Sequence, residues 1–296
     1  SSSSASTLDR LLRHERLIGH VNGTSIPRII HQSWQNATLP PKLENYRRSV
    51  LDAHPGWYHA LWTDADVDDL IDNHYPWARR ALALAHLRIS KFDAVRYLML
   101  HRFGGAYLDL DIEMFVPLDT VIAPGTTAMV SNNPADPAHM LSQARHPAWM
   151  WMMDHLFDSM NATMYLENGE LDPKTAFYAA GPAALTDAMA AYDARAPADA
   201  PRLTRFPMSR FYAGCAISYD RAMRDAAARH LSTSEIRFEE IRAKEVSDMV
   251  SCHADQLCKP LMHSAQYGRW MSTMWGYHHC SGVWWKPLDD DIFKTK

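Results

Sequence analysis

Apolar residues recur along the first half of the chain with two different periods, and the points where the period switches mark out the elements. "TLDRLLRHERLIGH" (7–20) puts Leu8, Leu11, Leu12 and Ile18 on one side and predicts a short amphipathic helix. "IPRIIHQSW" (26–34) is a β-branched run after a turn and predicts a first core strand, and "GWYHALWTD" (56–64) predicts a second. The "DADVDDLIDNHYP" that follows is helical until Pro76 stops it. Residues 80–102 carry the longest helical pattern, closed by "HRFGG", where Gly104 is placed as a left-handed cap. "AYLDLD" returns as a strand and "TTAMVSNN" (126–133) as another, with helical segments at 147–160, 181–194 and 218–231. Strands alternating with helices predict an α/β sheet with parallel members, whose ligands belong at the carboxyl ends of the strands.

Length and composition narrow this further. At 296 residues the chain fits one large domain or one domain with a small appendage. We expect a Ser-rich stem and short helix over 1–22, then one domain over 23–296. That domain would divide into a first half (about 26–135) and a second half (about 136–296). Hydrophobic content of 47% beside 22% charged residues supplies an ordinary buried core. A net charge of −4 argues against binding nucleic acid, because no basic surplus exists to release counterions. No segment approaches the run of uncharged apolar residues that a membrane span needs. The opening "SSSSAST" reads as a stem, linker or scar left where a signal peptide or anchor was removed.

Two further features push modestly toward an oxidising lumen. Three sequons begin at Asn22, Asn36 and Asn161. Cys215, Cys252, Cys258 and Cys280 are even in number and fall in the last third, with Cys252 and Cys258 close enough to close a small loop. Free buried thiols are the alternative, and no C-x-x-C pair argues for zinc. The Trp and Met residues at 149–153 and 270–275 either pack as helical core or line a groove for lipid or glycan.

The candidate chemistry is acidic. Asp64, Asp66 and Asp68 open a predicted helix, where carboxylates suit the amino-terminal dipole and solvent, and Asp289–Asp291 reads as solvated. Asp109 and Asp111 differ, because they follow "GGAYL" with no turn signal between. Side by side on an extended chain, their carboxylates would point the same way and repel unless a cation compensates. That arrangement suits Mn²⁺ or Mg²⁺ bridging to phosphate oxygens; two aspartates exposed at a sheet edge is the other reading. Upstream, Asp93 and Arg96 share a helix face, either as a surface ion pair or as donors and acceptors for sugar hydroxyls.

Taken in order, "IPRIIHQSW", "LWTD", "KFDAVRYLMLHRFGGAYLDLD", the "GP" at 181–182 and "HHCSGVW" resemble glycosyltransferase family 32. That family includes fungal inositol-phosphoceramide mannosyltransferases and the initiating α-1,6-mannosyltransferase of outer-chain N-glycans. More distantly the same core resembles the clostridial glucosylating toxins. The resemblance is close over about 26–115 and patchy beyond. It implies a GT-A fold, a Rossmann-like mixed sheet flanked by helices, with Mn²⁺ (or Mg²⁺) and a nucleotide-sugar donor. Asp111 would ligate the metal and Asp109 would lie near the ribose or metal. Asp93 and Arg96 would bind hydroxyls of the donor sugar. Trp34 would flank the nucleotide, and His278-His279 with Trp284 would form the element that closes over the diphosphate. His279 is the expected third metal ligand, with His278 or Ser281 in its place as alternatives. The chain departs from the family at Lys91-Phe92-Asp93, where R-A-D is frequent, and at Val283, where Ser is common.

The resemblance implies a retaining hexosyltransferase acting on a glycan or glycolipid, with GDP-mannose the first donor and a UDP-sugar (galactose, glucose or N-acetylglucosamine) the alternative. Its place would be the secretory lumen, in the Golgi, as the lumenal part of a membrane-anchored protein. The competing classes are an inactive relative that binds nucleotide or glycan, and a metal-dependent phosphoesterase.

Overall fold

The computed structural model describes residues 5–132, 135–161, 165, 167–169, 172, 175–207, 210–211 and 274–278. Helix α1 (Thr7–His14) is capped by Ser6, whose side chain accepts from Asp9 N. It is shorter than the periodicity suggests: Leu8 and Leu11 are buried, whereas Leu12 is exposed. Strand β1 (Ile29–Ser33) and strand β2 (Tyr58–Trp62) fall inside the two predicted runs. Between them lies α2 (Pro41–Ala53), a polar helix begun by a proline in its first turn, where no amide hydrogen is needed.

Helix α3 (Asp64–His74) starts with a capping box. Thr63 accepts from Asp66 N, and the Asp66 carboxylate accepts from Thr63 N. Asp66 is therefore a cap as expected, but it is buried rather than solvated, because its other oxygen accepts from Thr7 N at 2.7 Å. The long helical pattern resolves into α4 (Ala78–Leu82) and α5 (Arg88–Phe103), separated by a turn.

Strand β3 (Gly105–Leu108) follows, then β4 (Ile112–Met114), β5 (Ala128–Asn132) and β6 (His139–Ser142). The chain continues through α6 (Ala148–Ser159), α7 (Thr175–Ala179), α8 (Pro182–Arg195) and β7 (Leu203–Pro207), and β8 (Gly276–His278) is the last element among the described residues. The segment expected to be helical at 218–231, the four cysteines and Asp289–Asp291 lie outside the described residues.

The six-stranded sheet runs β2-β1-β3-β6-β5-β7. Strands β2, β1 and β3 are parallel, β6 is antiparallel to both β3 and β5, and β7 is parallel to β5. This is the mixed sheet flanked by helices that was expected. Strand alternation divides the core in two. Ile29, Tyr107 and Met140 point into one cluster with α1, α3, α5, α6 and α8. Ile30, Ala106, Leu108 and Leu141 point into the other, with Val50 of α2 and Ile112 and Met114 of β4. Trp149, Met152 and Met153 pack in the first cluster, which settles that part of the aromatic and Met-rich stretch as core.

The double glycine makes the approach to β3 achievable. Gly104 has φ 66° and ψ −161°, a region open to glycine alone and distinct from the left-handed helical cap expected there. A Cβ on it would stand 2.5 Å from Ala144 N, and one on Gly105 (φ 93°) would stand 2.5 Å from Ile29 O. Helix α5 can therefore turn back into the sheet beside β1 only without side chains at these two positions.

Candidate active site

Strand direction decides what meets at the carboxyl end of β3. Because β1 is parallel to β3, its end brings Ser33 and then half-buried Trp34 to the same edge. Because β6 is antiparallel, its beginning arrives there instead, with His139 opposite Leu108. A separate ladder pairs β4 with β8 and sets Ile112 opposite His278. Three segments distant in sequence thus converge on one turn.

That turn holds Asp109 and Asp111. The strand ends at Leu108, and Ile112 N donates back to Asp109 O at 3.1 Å, so the two aspartates lie on a bend rather than on an extended chain. The expected geometry is corrected here: a turn, not strand alternation, brings their carboxylates near one another. The turn is pinned to the neighbouring loop by Asp109 N, which donates to Ala138 O at 2.9 Å.

Asp93 and Arg96 are buried, which excludes the surface ion pair. Arg96 Nη2 lies 3.1 Å from Asp93 Oδ1 and 3.1 Å from Asp109 Oδ1, and the guanidinium stacks 4.9 Å from the Tyr107 ring centre. The Tyr107 hydroxyl donates to Asp109 Oδ1 at 3.0 Å. Its single proton being committed there, Ser33 Oγ is the donor in the 2.9 Å bond between the two hydroxyls. A relay of Ser33, Tyr107 and Arg96 therefore orients Asp109.

Charge is concentrated here. Burial pushes the Asp109 carboxyl up to about 6, against the pull of Arg96 and with the repulsion of Asp111 added. Burial likewise raises Asp93 to about 7, opposed by Arg96 and reinforced by Asp109 and Asp136. His278 Nε2 lies 3.2 Å from Asp111 Oδ1. Burial alone would lower that imidazole, but the charge and hydrogen bond of Asp111 raise it to about 9. Across the turn, Tyr46 of α2 is pushed up to about 12 by burial, with Asp111 and Glu113 contributing. Four carboxylates (Asp93, Asp109, Asp111 and Asp136) thus act on one another with Arg96 and His278 as countercharges. Such a cluster favours a further cation.

The donor set fits one. Ligand atoms of Asp109, Asp111 and His278 lie within 4.8 Å of one another, two carboxylates and an imidazole suited to a hard or borderline divalent ion. Of the expected third ligands, His278 reaches the cluster. His279, Ser281 and Trp284 lie outside the described residues.

Two residues that sequence reasoning missed also stand here, buried Asp136 and buried His139. Asp136 Oδ1 accepts from Ala138 N at 2.9 Å, and the His139 ring stacks on Phe211 with centres 4.5 Å apart. Burial holds His139 down at about 4, so the ring is neutral at ordinary pH. The signal was faint: "NPADPAHM" carries no periodicity, and only the antiparallel entry of β6 delivers it to the site.

Residues 40–128 match the family model described as the glycosyltransferase sugar-binding region containing the DXD motif. That span includes Asp93, Arg96, Asp109 and Asp111, and it bears out the resemblance to glycosyltransferase family 32. Inositol phosphoceramide mannosyltransferase 1 of Schizosaccharomyces pombe is 33% identical over 159 residues, 49% of this chain and 49% of that protein. Mannosyl phosphorylinositol ceramide synthase CSH1 of Saccharomyces cerevisiae is 32% identical over 132 residues, 44% of this chain and 35% of its own length. The initiation-specific alpha-1,6-mannosyltransferase of Candida albicans is 28% identical over 114 residues, 36% of this chain and 30% of that protein. The chain thus spans about half the length of the first relative and about a third of the other two.

Proposed function

We propose that this protein is a divalent-metal-dependent, retaining mannosyltransferase that moves mannose from GDP-mannose onto a glycolipid or glycan. The observation that carries the reading is the convergence of Asp109, Asp111 and His278 on one turn, beside the buried Asp93–Arg96 pair. The relatives' names supply mannose as the sugar and inositol phosphoceramide as the first acceptor to test.

Asp109, Asp111 and His278 would hold Mn²⁺ or Mg²⁺, which when bound supplies positive charge to the diphosphate leaving group. Asp93 accepts hydrogen bonds from hydroxyls of the donor sugar while Arg96 donates to its oxygens, and both are fixed before the substrate arrives. Arg96 Nε is buried and has no hydrogen-bond partner among the described residues. Trp34, at the edge next to Ser33, flanks the nucleotide. The acceptor attacks from the face the leaving group departs, and a phosphate oxygen takes its proton. Retention follows from that course, and an inverted anomeric product by NMR would sink it.

Asn22, Asn36 and Asn161 are all exposed, which supports a lumenal, glycosylated protein. No helix among the described residues is long and apolar enough to cross a membrane.

The deciding experiment screens nucleotide-sugars for Mn²⁺-dependent turnover with inositol phosphoceramide present, for the wild type and for Asp111→Asn. Turnover confined to GDP-mannose and lost in the variant is expected. Turnover with a UDP-sugar instead would change the donor, and unchanged metal-dependent turnover in the variant would remove the site assignment. Nucleotide binding without turnover of any donor would indicate an inactive binding relative.

A further inference from the structure

His278 belongs to two ligand sets. One is the carboxylate-rich set with Asp109 and Asp111; the other joins it to Asp136 and His139, again with all ligand atoms within 4.8 Å of one another. The second set is buried throughout, and two of its members hold polar atoms that are unspent among the described residues. Asp136 Oδ2 and both ring nitrogens of His139 have no hydrogen-bond partner among the described residues, although unpaired buried polar atoms are costly. Packing explains the His139 ring, which lies against Phe211 and Phe206, but a phenyl ring would serve that purpose without two stranded nitrogens.

The chemistry of the two sets differs. Two carboxylates and one imidazole suit Mn²⁺ or Mg²⁺, whereas two imidazoles and one carboxylate are a nitrogen-rich set that suits Zn²⁺ and its borderline neighbours. We infer that Asp136, His139 and His278 form a second cation site selective for zinc-class ions. Where both sets draw on His278 Nε2, the nitrogen that faces Asp111, zinc and manganese compete through one imidazole. The cluster stays open on the Asp109–Asp111–His278 side, where these side chains keep 16%, 11% and 9% of their surface exposed. The competition rests on the reading of Asp109, Asp111 and His278 as the manganese site; the zinc site itself does not.

The test uses the full chain stripped with chelator. Zn²⁺ affinity is read by competition with a chromophoric chelator, and Mn²⁺ affinity separately by electron paramagnetic resonance, so neither readout needs turnover. His139→Phe keeps a ring against Phe211 and removes both nitrogens, and Asp136→Asn keeps the volume. Each variant is expected to lose at least the roughly 100-fold in Zn²⁺ affinity that even an outer-shell change can cost. Asp136→Asn is judged on Zn²⁺ alone, because Asp136 also acts on Asp109 and His278. His139→Phe removes no charge from the carboxylate cluster and is expected to hold Mn²⁺ within about 3-fold of the wild type. Asp111→Asn is expected to do the reverse. Wild-type Zn²⁺ affinity in a folded His139→Phe protein would overturn the proposal, as would a wild type that takes up no Zn²⁺. Should His139→Phe fail to fold, Asp136→Asn decides on the same criterion. Loss of Zn²⁺ in Asp111→Asn alone would place zinc in the carboxylate set and overturn it equally. If Mn²⁺ fails to bind while the Zn²⁺ results hold, the manganese reading falls and the zinc site stands.

Discussion

Arg96 reaches past the Gly104–Gly105 turn to hold Asp109, Nη2 to Oδ1 at 3.1 Å. The same guanidinium is the chief force opposing the upward shift of both Asp93 and Asp109. Arg96→Met should leave two buried carboxylates that take up protons near neutrality and no longer act as anions. Removing one partner of a buried ion pair costs about 3–5 kcal/mol, the upper end where the stranded charge cannot neutralise itself. We expect about 3 kcal/mol of lost stability by urea unfolding, because protonation relieves part of the cost. Metal-dependent turnover should fall by about 100-fold or more, as when a preorganised electrostatic group is lost. A variant with wild-type turnover would detach Arg96 from the reaction.

Tyr107→Phe tests the relay from Ser33 to Asp109. One hydroxyl is lost while the ring under Arg96 remains. The stability cost should be about 1 kcal/mol, that of a typical hydrogen bond. Asp109 then loses an orienting partner, and Mn²⁺ affinity by paramagnetic resonance should drop about 10-fold. Unaltered Mn²⁺ binding would mean that Asp109 is aimed by Arg96 alone.

Gly105→Ala should be among the most damaging substitutions away from the acidic cluster. Its φ of 93° costs about 1–3 kcal/mol for an L residue. The new methyl would also stand 2.5 Å from Ile29 O, so β3 and β1 would have to part. We expect a loss above about 3 kcal/mol, with the strain and the backbone clash both contributing. Gly56→Ala, which meets nothing within 4 Å, is the control and should stay within about 0.5 kcal/mol. Equal melting temperatures for the two variants would contradict the turn's role.

His31 should resist protonation. The Trp62 indole can only donate, and it donates to His31 Nδ1 at 3.0 Å; the Gly104 carbonyl can only accept, and it receives His31 Nε2–H at 2.8 Å. Those partners fix the neutral tautomer, and burial lowers the ring to about 4. Between that value and the ordinary 6.5 the unfolded chain binds this proton and the folded chain does not. The contribution of His31 is therefore complete above pH about 6.5 and is lost as pH falls toward 4, at up to about 1.4 kcal/mol per pH unit. Nitrogen-15 spectra should show an unprotonated Nδ1 down to about pH 5. A midpoint near 6.5 would refute the arrangement.

Local patterns announced much of this fold. The β-branched run at Ile29 and Ile30, the Thr63–Asp66 cap and the Gly104–Gly105 pair each act over a few residues, and each can be read from neighbours in the chain. Asp93, Arg96, Asp109 and Asp111 were legible because one continuous stretch carries them in order. The break between α4 and α5 was not, because apolar spacing continues through it. Nor were β6 and its cargo: His139 reaches the site because it pairs with Leu108 in an antiparallel register. That relation is a property of the assembled sheet, and no spacing in "NPADPAHM" encodes it.

The ladder between β4 and β8 joins parts of the chain made at very different times. A ribosome finishes the turn that bears Asp109 and Asp111, and the β6 entry that bears Asp136, long before it reaches His278. Until Gly276–His278 emerges to pair with Ile112–Met114, the nascent sheet carries crowded carboxylates without their imidazole partner. A polypeptide stalled before β8 already holds Asp109 and Asp111 and still lacks the strand that brings His278 beside them.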